Sequence, residues 1–231
     1  MAIPEEAILH LINGVELISS NEHLEHAFTE LTESLRLYPG CAEAHLWAGY
    51  VFDRQSQFQD AIKEYREAIR LDPENEPAHF FLGMVYDRLR LDGENMIDYA
   101  IYEYRESIRI NPENAESHFY LGEALQDSNR LDEAVYHYNR AMFLKPGSHI
   151  EEAVLYNLGM AYYKNGRLED SLYEFNEALR LDPDNSRAYT RIGVIYFNMT
   201  LDDKAKLAFK TALMLNPDDI EARRYMEFLE K

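Results

Sequence analysis

Prolines recur along this chain at a nearly fixed interval, and this period constrains the fold more than any other feature of the sequence. The series is Pro39, Pro73, Pro112, Pro146, Pro183 and Pro217, with spacings of 34, 39, 34, 37 and 34 residues. Glycines keep the same step at Gly14, Gly49, Gly83, Gly122, Gly159 and Gly193. A sustained period of this length indicates a repeat protein in which each unit packs mainly on its neighbours.

Each repeat reads as two helices. The glycine lies in an apolar segment of helical period, and the proline closes a second such segment. Proline cannot continue a helix, so it marks the boundary between one unit and the next. The order helix, turn, helix, proline predicts an all-α fold.

The residue pattern within the unit resembles that of the tetratricopeptide repeat family, which runs aromatic, Leu-Gly, Tyr, Ala, Phe, Ala and Pro over 34 residues. Residues 152–185 carry Leu158-Gly159, Tyr162, Phe175, Ala178 and Pro183. The resemblance implies a right-handed superhelical solenoid formed by a single array over residues 1–231, with the first helices lining a concave groove. Its repeats are placed at 7–41, 42–75, 76–114, 115–148, 152–185 and 186–219, and a capping helix is placed at 220–231.

Two insertions interrupt the period. Five extra positions fall within residues 91–98, which indicates either a longer turn or a second helix that starts a turn early with Asn95 as its N-cap. Calcium binding by Asp87, Asp92, Glu94 and Asp98 is the other interpretation, although their spacing does not match an EF-hand loop. Residues 149–151 form the second insertion, where a bend that divides the array into four and two repeats is expected.

The two ends of the array differ in polarity. Residues 220–231 are rich in charge and predict a polar cap. The first helix is apolar on most sides, with Ile8, Leu11, Ile12 and Val15. A helix apolar all round is normally buried, so either residues 1–6 and the second helix cover it, or it forms a homo-oligomer interface with a second copy of the chain.

The charge balance narrows the classes of partner. The chain has 23 Lys and Arg against 42 Asp and Glu, a net charge of −19. Such a surface disfavours nucleic acid and anionic membranes and attracts basic segments.

Cys41 is the sole cysteine, so no internal disulfide can form. Acidic Glu5 and Glu6 lie where a signal peptide would be basic, and no run is long enough for a membrane span. A cytoplasmic location is expected.

Histidines occupy the same position in four repeats. His10, His45, His79 and His118 are each separated by a helix pair, whereas zinc ligands must converge within about 2 Å of the metal. They are therefore interpreted as aromatic packing residues with a polar end. His23 and His26 offer only a weak surface metal site. No phosphate loop, nucleophile elbow or HExxH motif occurs, so neither an enzyme nor a cofactor is expected.

Groove residues follow from the family resemblance, which implies that first-helix positions 2, 5, 6, 9, 12 and 13 face the groove. Position 6 carries large aromatic residues in three repeats, and position 9 adds Tyr and Met. Such side chains are typical of peptide-binding surfaces. The predicted contacts are Trp47, Tyr50, Phe81, Met84 and Tyr120. The alternative is that some of these rings are half-buried between repeats.

A basic patch is predicted in the last two repeats. It comprises Asn157, Lys164, Arg187 and Arg191. Family members that bind chaperones hold a terminal carboxylate with a clamp, and Asn157, Arg187 and Arg191 match its second half. Phe119 and Glu123 stand where the clamp has Lys and Asn, so the full clamp is absent. The patch is interpreted either as an anchor for one carboxylate or as ordinary pairing with nearby acids.

These features predict a non-catalytic interaction module that binds a protein or peptide segment, with basic flanks or a free C-terminal carboxylate. The alternative is an assembly scaffold that associates through its apolar first helix. An accessory domain of a sugar-transferring enzyme is disfavoured, because the asparagines that such arrays place at position 6 occur here only at Asn157.

Overall fold

The computed structural model describes residues 4–18, 23–91, 96–144 and 148–230. Within these ranges the regular structure is helical and no strand occurs. The helices of the first half are α1 (Glu5–Ile18), α2 (Leu24–Leu37), α3 (Ala42–Arg54), α4 (Phe58–Leu71), α5 (Glu76–Leu91), α6 (Ile97–Ile110) and α7 (Ala115–Asp127). The second half contains α8 (Leu131–Phe143), α9 (Ser148–Lys164), α10 (Leu168–Leu181), α11 (Ser186–Asn198), α12 (Asp202–Leu215) and α13 (Ile220–Leu229).

The chain divides into two compact units, and the boundary lies within α7. Unit 1 spans residues 1–124 and unit 2 spans residues 125–231. In unit 1 the pairs α1–α2, α3–α4 and α5–α6 form helical hairpins, and in unit 2 the pairs α9–α10 and α11–α12 do the same. Successive hairpins within each unit pack on one another, which confirms an all-α helical repeat solenoid.

Close approach of the two helices in a hairpin depends on a glycine. A Cβ atom at Gly49 would lie 2.8 Å from the Tyr65 ring, and a Cβ at Gly83 would lie 2.8 Å from the Tyr104 ring. Tyr65 and Tyr104 are fully buried. The glycine of the first helix therefore makes room for the aromatic ring of the second, which is the packing reason for the spacing seen in the sequence.

The first insertion lengthens a helix at its C-terminal end. Helix α5 has 16 residues, whereas α3 has 13. Helix α6 begins at Ile97 with Met96 as its N-cap and has the usual 14 residues. Of the two interpretations of this insertion, the second helix that starts a turn early is therefore wrong, and Asn95 lies outside the described residues.

The proposed calcium ligands are only partly described. Asp92 and Glu94 lie outside the described residues, while Asp87 belongs to α5 and Asp98 to α6. Among the residues that the structure describes, no three His, Cys, Asp or Glu side chains converge as a metal site.

The second insertion lengthens α9 at its start. That helix begins at Ser148 and has 17 residues, so residues 149–151 are helical, and Ile150 is buried. The boundary between the compact units lies within α7, whereas a division between the fourth and fifth repeats was expected.

Both terminal helices expose apolar side chains. On α1, Leu11 packs against the cluster of Ala27, Leu31 and Val51, while Ile8 and Ile12 are 40% and 48% exposed. Leu11 and Val15 are half-buried. Helix α13 forms as predicted, but its exposed surface is less polar than expected, because Ile220 and Phe228 are 64% and 65% exposed.

Candidate functional site

A continuous row of aromatic rings runs along the first helices of unit 1. Trp47 meets Tyr50 edge-on at 5.8 Å between ring centroids, and Tyr50 meets Phe81 at 5.4 Å. Phe80 links Phe81 to Tyr120 at 5.5 and 5.7 Å. We call these five residues the aromatic row. The structure therefore brings four predicted groove residues together, with Phe80 as an additional member.

The row is supported from below by the buried rings of the second helices. Phe81 stacks on Tyr65 at 6.1 Å, and Tyr120 stacks on Tyr104 at 6.1 Å. Phe81 and Tyr120 are themselves half-buried. Phe81 and Tyr120 are thus held against the second helices while part of each side chain stays accessible, an arrangement that offers contact area at low entropic cost.

Trp47 is more deeply integrated than the sequence indicates. Its ring packs against the buried cluster of Ala27, Leu31 and Val51. Its Nε1 atom is buried and has no hydrogen-bond partner among the described residues. Trp47 therefore supports the hairpin core as well as the aromatic row, which agrees with the alternative that some groove residues are half-buried.

A small cavity opens beside the row. It has a volume of about 230 Å³ and is lined by Met84, Asp87, Arg88, Tyr104 and Tyr120. Met84 and Tyr120 were predicted as groove residues. The predicted groove residues of this repeat came from positions 6 and 9 alone, whereas Asp87 and Arg88 occupy positions 12 and 13, which the family resemblance also implies for the groove.

The positive charge at this cavity is balanced within the unit. Arg88 Nη1 donates to Asp53 Oδ1 at 2.6 Å, and its guanidinium lies 5.6 Å from the centre of the Phe58 ring. Burial raises the pKa of the Asp53 carboxyl, and Arg88 and Arg54 partly offset that rise.

The hydroxyl groups at the cavity lie in a negative environment. Burial raises the pKa of the Tyr104 hydroxyl well above its ordinary value, and the charges of Asp87 and Glu123 raise it further. Burial likewise raises the pKa of the Tyr120 hydroxyl, with Glu123 adding to the effect. Arg88 opposes both shifts.

In unit 2, the basic residues of the predicted patch engage other side chains. Arg187 lies 5.3 Å from the centre of the Tyr156 ring. Arg191 Nη2 donates to a carboxylate oxygen of Glu221 on α13. Asn157 on α9 is half-buried, and Lys164 is exposed at the end of that helix. Arg191 is thus already paired with an acid, as expected if the patch forms ordinary pairs with nearby acids.

The repeated histidines join the two helices of a hairpin. His45 Nδ1 donates to Glu64 at 2.6 Å and its Nε2 donates to the Pro39 carbonyl at 3.1 Å. His79 makes the same contacts with Glu103 and Pro73. Burial lowers the pKa of both imidazoles, but the carboxylate and the carbonyl outweigh it and raise the pKa above the ordinary value.

An apolar hollow lies at the C-terminal end of unit 2. Its volume is about 620 Å³, and it is lined by Phe197, Ile220, Glu221, Arg224, Tyr225 and Phe228. Phe197 meets Tyr225 and Phe228 edge-on at 5.1 and 5.5 Å. The charged composition of residues 220–231 predicts a polar cap and gives no indication of this hollow.

Sequence comparison identifies the repeats by family. A model described as "TPR repeat" matches residues 49–89, 95–129 and 159–199. Two models described as "Tetratricopeptide repeat" match residues 115–148 and 186–219. These matches cover more than half of the chain. A search of curated protein sequences gave no significant match.

Solved structures share the fold at low sequence identity. YrrB, described as "a TPR protein with an unusual peptide-binding site", has a TM-score of 0.77 and 21% identity over 85% of this chain and 97% of that one. Pseudomonas aeruginosa pilF has a TM-score of 0.76 and 18% identity over 98% of both chains. A chain of the APC/C hetero-tetramer Cut9–Hcn1 matches with a TM-score of 0.70 and 21% identity. The match covers 99% of this chain but only 43% of that one.

These likenesses show the fold alone.

Among the described helices, none combines the length and apolar content needed to cross a bilayer.

Proposed function

Because this chain belongs to the tetratricopeptide repeat family, we propose that it is a non-catalytic, cytoplasmic interaction module that binds a peptide segment of a partner protein. The binding surface is the aromatic row of unit 1 together with Met84. The observation that carries this proposal is the continuous series of rings from Trp47 to Tyr120, of which Phe80 is buried and the other four are half-buried. Rigid aromatic side chains with one accessible face are enriched at binding hot spots.

The chemistry of the partner follows from charge. The net charge of −19 favours a segment with basic flanks, because long-range attraction raises the association rate. YrrB, which shares the fold, is described as having a peptide-binding site, and this description agrees with the kind of ligand proposed here.

The test uses peptides selected from a random display library against the full chain. Trp47 is the only tryptophan, so its fluorescence reports binding at the row. Tyr50→Ala should weaken binding about tenfold, since one accessible ring of the row is lost. The matched control is Tyr102→Ala on α6, where the ring is 59% exposed and outside the row.

Equal affinity in the Tyr50→Ala and Tyr102→Ala variants would reject the aromatic row as the binding surface. Trp47→Ala is a poor test variant, because that ring also packs on the buried cluster of α2 and α3. Its loss would lower the stability of the fold together with binding.

A carboxylate anchor in unit 2 is the second part of the proposal. Arg187, Arg191, Asn157 and Lys164 would hold a peptide's free C-terminus through charge-assisted hydrogen bonds. Because Arg191 is paired with Glu221, the ligand carboxylate has to displace that side chain. Glu221→Gln should therefore raise the affinity for free-terminus peptides severalfold relative to amidated peptides.

Arg187→Ala with Arg191→Ala should have the opposite effect. Equal affinity of both peptide forms in the wild type and in these variants would discard the anchor.

Self-association through α1 is the alternative function, favoured by the exposed Ile8, Leu9 and Ile12. Sedimentation measurements over a range of protein concentrations should show a larger species that Ile12→Asp abolishes. Leu207→Asp, at a side chain that is 68% exposed on α12, is the matched control. A monomer at all concentrations would exclude this function.

A further inference from the structure

The first helix exposes a repeat position that the later repeats bury. Leu9 stands at the third position of its repeat, and its side chain is 57% exposed. The residues at the third position of the later repeats are fully buried: Ala44, Ala78, Ser117, Val154 and Ala188. Ala188, for example, belongs to one cluster with Phe175 from the second helix of the preceding repeat. Leu9 thus lies on a packing surface of α1 that the described residues leave largely uncovered.

Acidic and apolar side chains share this uncovered side of α1. Ile8 and Ile12 are 40% and 48% exposed, and Glu5 is exposed as well. In an α-helix these three side chains and Leu9 fall within an arc of about 100°. The Glu5 carboxylate forms no hydrogen bond or ion pair among the described residues. We call Glu5, Ile8, Leu9 and Ile12 the α1 face.

The hollow at the C-terminal end of unit 2 has a complementary composition. Ile220, Arg224 and Phe228 line it at intervals of four residues along α13, so they lie on one side of that helix. All three are exposed, with Ile220 at 64% and Phe228 at 65%. Phe197 and Tyr225 complete its apolar wall. The hollow therefore places one cation between apolar side chains that solvent can reach.

The two charged side chains of the hollow differ in their availability. The Glu221 carboxylate is paired with Arg191, whereas the Arg224 guanidinium makes no hydrogen bond or ion pair within the described part of the chain. Glu227, the next acid along α13, is exposed and does not line the hollow. The donors of Arg224 are therefore available to an incoming carboxylate, and apolar side chains around such a pair would strengthen its hydrogen bonds.

The two surfaces also agree in size. At 1.5 Å per residue, the rise from Ile220 to Phe228 is about 12 Å, and the rise from Glu5 to Ile12 is about 10 Å. The hollow has a volume of about 620 Å³, which lies within the range of about 300–1,000 Å³ for sites that enclose a drug-sized ligand. More than one aliphatic side chain therefore fits inside it.

We propose that the α1 face of one copy of this chain packs into the hollow of a second copy. Its apolar side chains cover Ile220 and Phe228, and its Glu5 carboxylate accepts hydrogen bonds from Arg224. Because the two surfaces differ, the contact is head-to-tail, and every copy offers one of each. This inference rests on the alternative function, self-association through α1, and it assigns the surface that α1 contacts.

The test is sedimentation velocity of the full chain over a range of concentrations. A salt concentration of about 0.15 M screens the repulsion between acidic chains. The wild type should form species larger than a monomer as its concentration rises. Leu9→Asp on the α1 face and Phe228→Asp in the hollow should each stay monomeric. The matched control, Leu207→Asp at a side chain that is 68% exposed on α12, should associate like the wild type.

Mixing the two blocked variants distinguishes a head-to-tail contact from a symmetric one. Leu9→Asp keeps an intact hollow, and Phe228→Asp keeps an intact α1 face. An equimolar mixture should therefore form a dimer that neither variant forms alone. A symmetric contact between two α1 helices predicts instead that Phe228→Asp associates by itself.

Reversal of charge tests the proposed ion pair. Arg224→Glu and Glu5→Lys should each weaken association about tenfold. The double variant should recover most of that loss, because the pair is restored with opposite polarity. The matched control is Glu6→Lys, which changes the net charge by the same amount at an exposed side chain outside the α1 face. It should have little effect.

A monomeric wild type at every concentration would overturn the inference, as would a mixture of the blocked variants that stays monomeric. An associating Phe228→Asp variant beside a monomeric Leu9→Asp variant would keep self-association through α1 and reject the hollow. Loss of association in Phe228→Asp alone would assign the hollow to another surface. Circular dichroism checks that each variant is folded, and Ile220→Asp replaces Phe228→Asp if the latter unfolds.

These outcomes are separable from those for peptide binding. The blocked variants keep the aromatic row, so display peptides should bind them with the affinity of the wild type. Tyr50→Ala should leave association unchanged, because that ring lies outside both the α1 face and the hollow.

Discussion

At the scale of single residues, the turn inside each repeat imposes an unusual backbone conformation. Ser56, Asn129, Gly166 and Thr200 all adopt positive φ angles, between 57° and 76°. Each stands at position 15 of its repeat. Glycine adopts this left-handed conformation freely, whereas a side chain with a Cβ atom is strained in it. The same turn therefore costs a different conformational free energy in different repeats.

Reciprocal substitutions test this cost. Gly166→Ala should lower the free energy of unfolding by about 1 kcal/mol, and the effect is purely conformational because a Cβ atom there would meet nothing within 4 Å. Thr200→Gly should raise the free energy of unfolding by about 0.5–1 kcal/mol, because glycine adopts this backbone conformation without the strain of a β-branched side chain. Urea unfolding measures both. The same sign of change in the two variants would contradict the argument.

A second effect at the residue scale concerns pH. Burial, with the nearby charges of Glu177 and Asp170, raises the pKa of Glu174 from 4.5 to about 7. The folded state thus binds a proton that the unfolded state has lost, so stability falls as the pH rises from about 4.5 to 7. After allowance for solvent screening, Glu174→Gln should stabilise the chain by about 1–2 kcal/mol at pH 8. It should have little effect at pH 4. Unfolding curves at both pH values check this, and an equal effect at each would contradict it.

At the scale of helices, the hairpin depends on glycine facing an aromatic ring. The spacing is tightest at Gly193, where a Cβ atom would lie 2.5 Å from Phe209 Cε1. At Gly159 the closest ring atom of Phe175 would be 3.1 Å away. The helices of the last hairpin therefore have less room to accept an added methyl group than those of the preceding one.

Alanine at these two positions should give different results. Gly193→Ala should destabilise the fold by about 1–3 kcal/mol, because overpacking outweighs the better helix propensity of alanine. Gly159→Ala should cost less than about 1 kcal/mol. Thermal unfolding followed by circular dichroism measures the pair. A larger loss for Gly159→Ala would show that ring contact does not set the cost.

The histidine pairs act at the same scale. His45 and His79 each donate to a carboxylate on the second helix and to the carbonyl of the preceding proline. One side chain thus connects the two helices of a hairpin and the turn before it. The sequence showed the recurrence of histidine at this position. The identity of the partners, Glu64 and Glu103, became evident only in the folded hairpin.

At the scale of the whole molecule, the balance of acidic and basic side chains decides the electrostatic field around the protein. Several arginines pair with a glutamate three residues earlier on the same helix: Arg36 with Glu33, Arg70 with Glu67, Arg109 with Glu106 and Arg180 with Glu177. Such exposed pairs add little stability, but each places a negative charge beside a positive one. The excess of acids over bases therefore sets the sign of the field that an approaching ligand meets.

Salt should accordingly act on the rate of binding. The association rate of a basic display peptide should fall about tenfold between low salt and 0.5 M NaCl, while its dissociation rate changes little. Stopped-flow fluorescence of Trp47 measures both rates. A matched peptide with its basic flanks replaced by glutamine is the control and should show a weak salt dependence. Equal salt dependence of the two peptides would exclude steering by the acidic surface.

The sequence by itself determined the helices, their order and the family, because these depend on local periodicity and on glycine, alanine and aromatic residues at fixed spacing. It also predicted that Trp47, Tyr50, Phe81 and Tyr120 belong to one surface. What it could not determine was how much of each side chain stays accessible. Burial depends on neighbours that belong to the adjacent repeat, as with Trp47 and the cluster that includes Leu31.

Only the tertiary structure decided the partners of the charged and hydroxyl groups. Arg191 is paired with Glu221, 30 residues further along the chain, and Arg88 is paired with Asp53, 35 residues earlier. Tyr104 of α6 lines a cavity whose other walls come from α5 and α7. A repeat pattern fixes the position of each residue within its own repeat, but these two arginines find their partners outside their own repeats. Four of the five residues of the aromatic row were therefore predictable from the sequence, whereas the small cavity beside it was not.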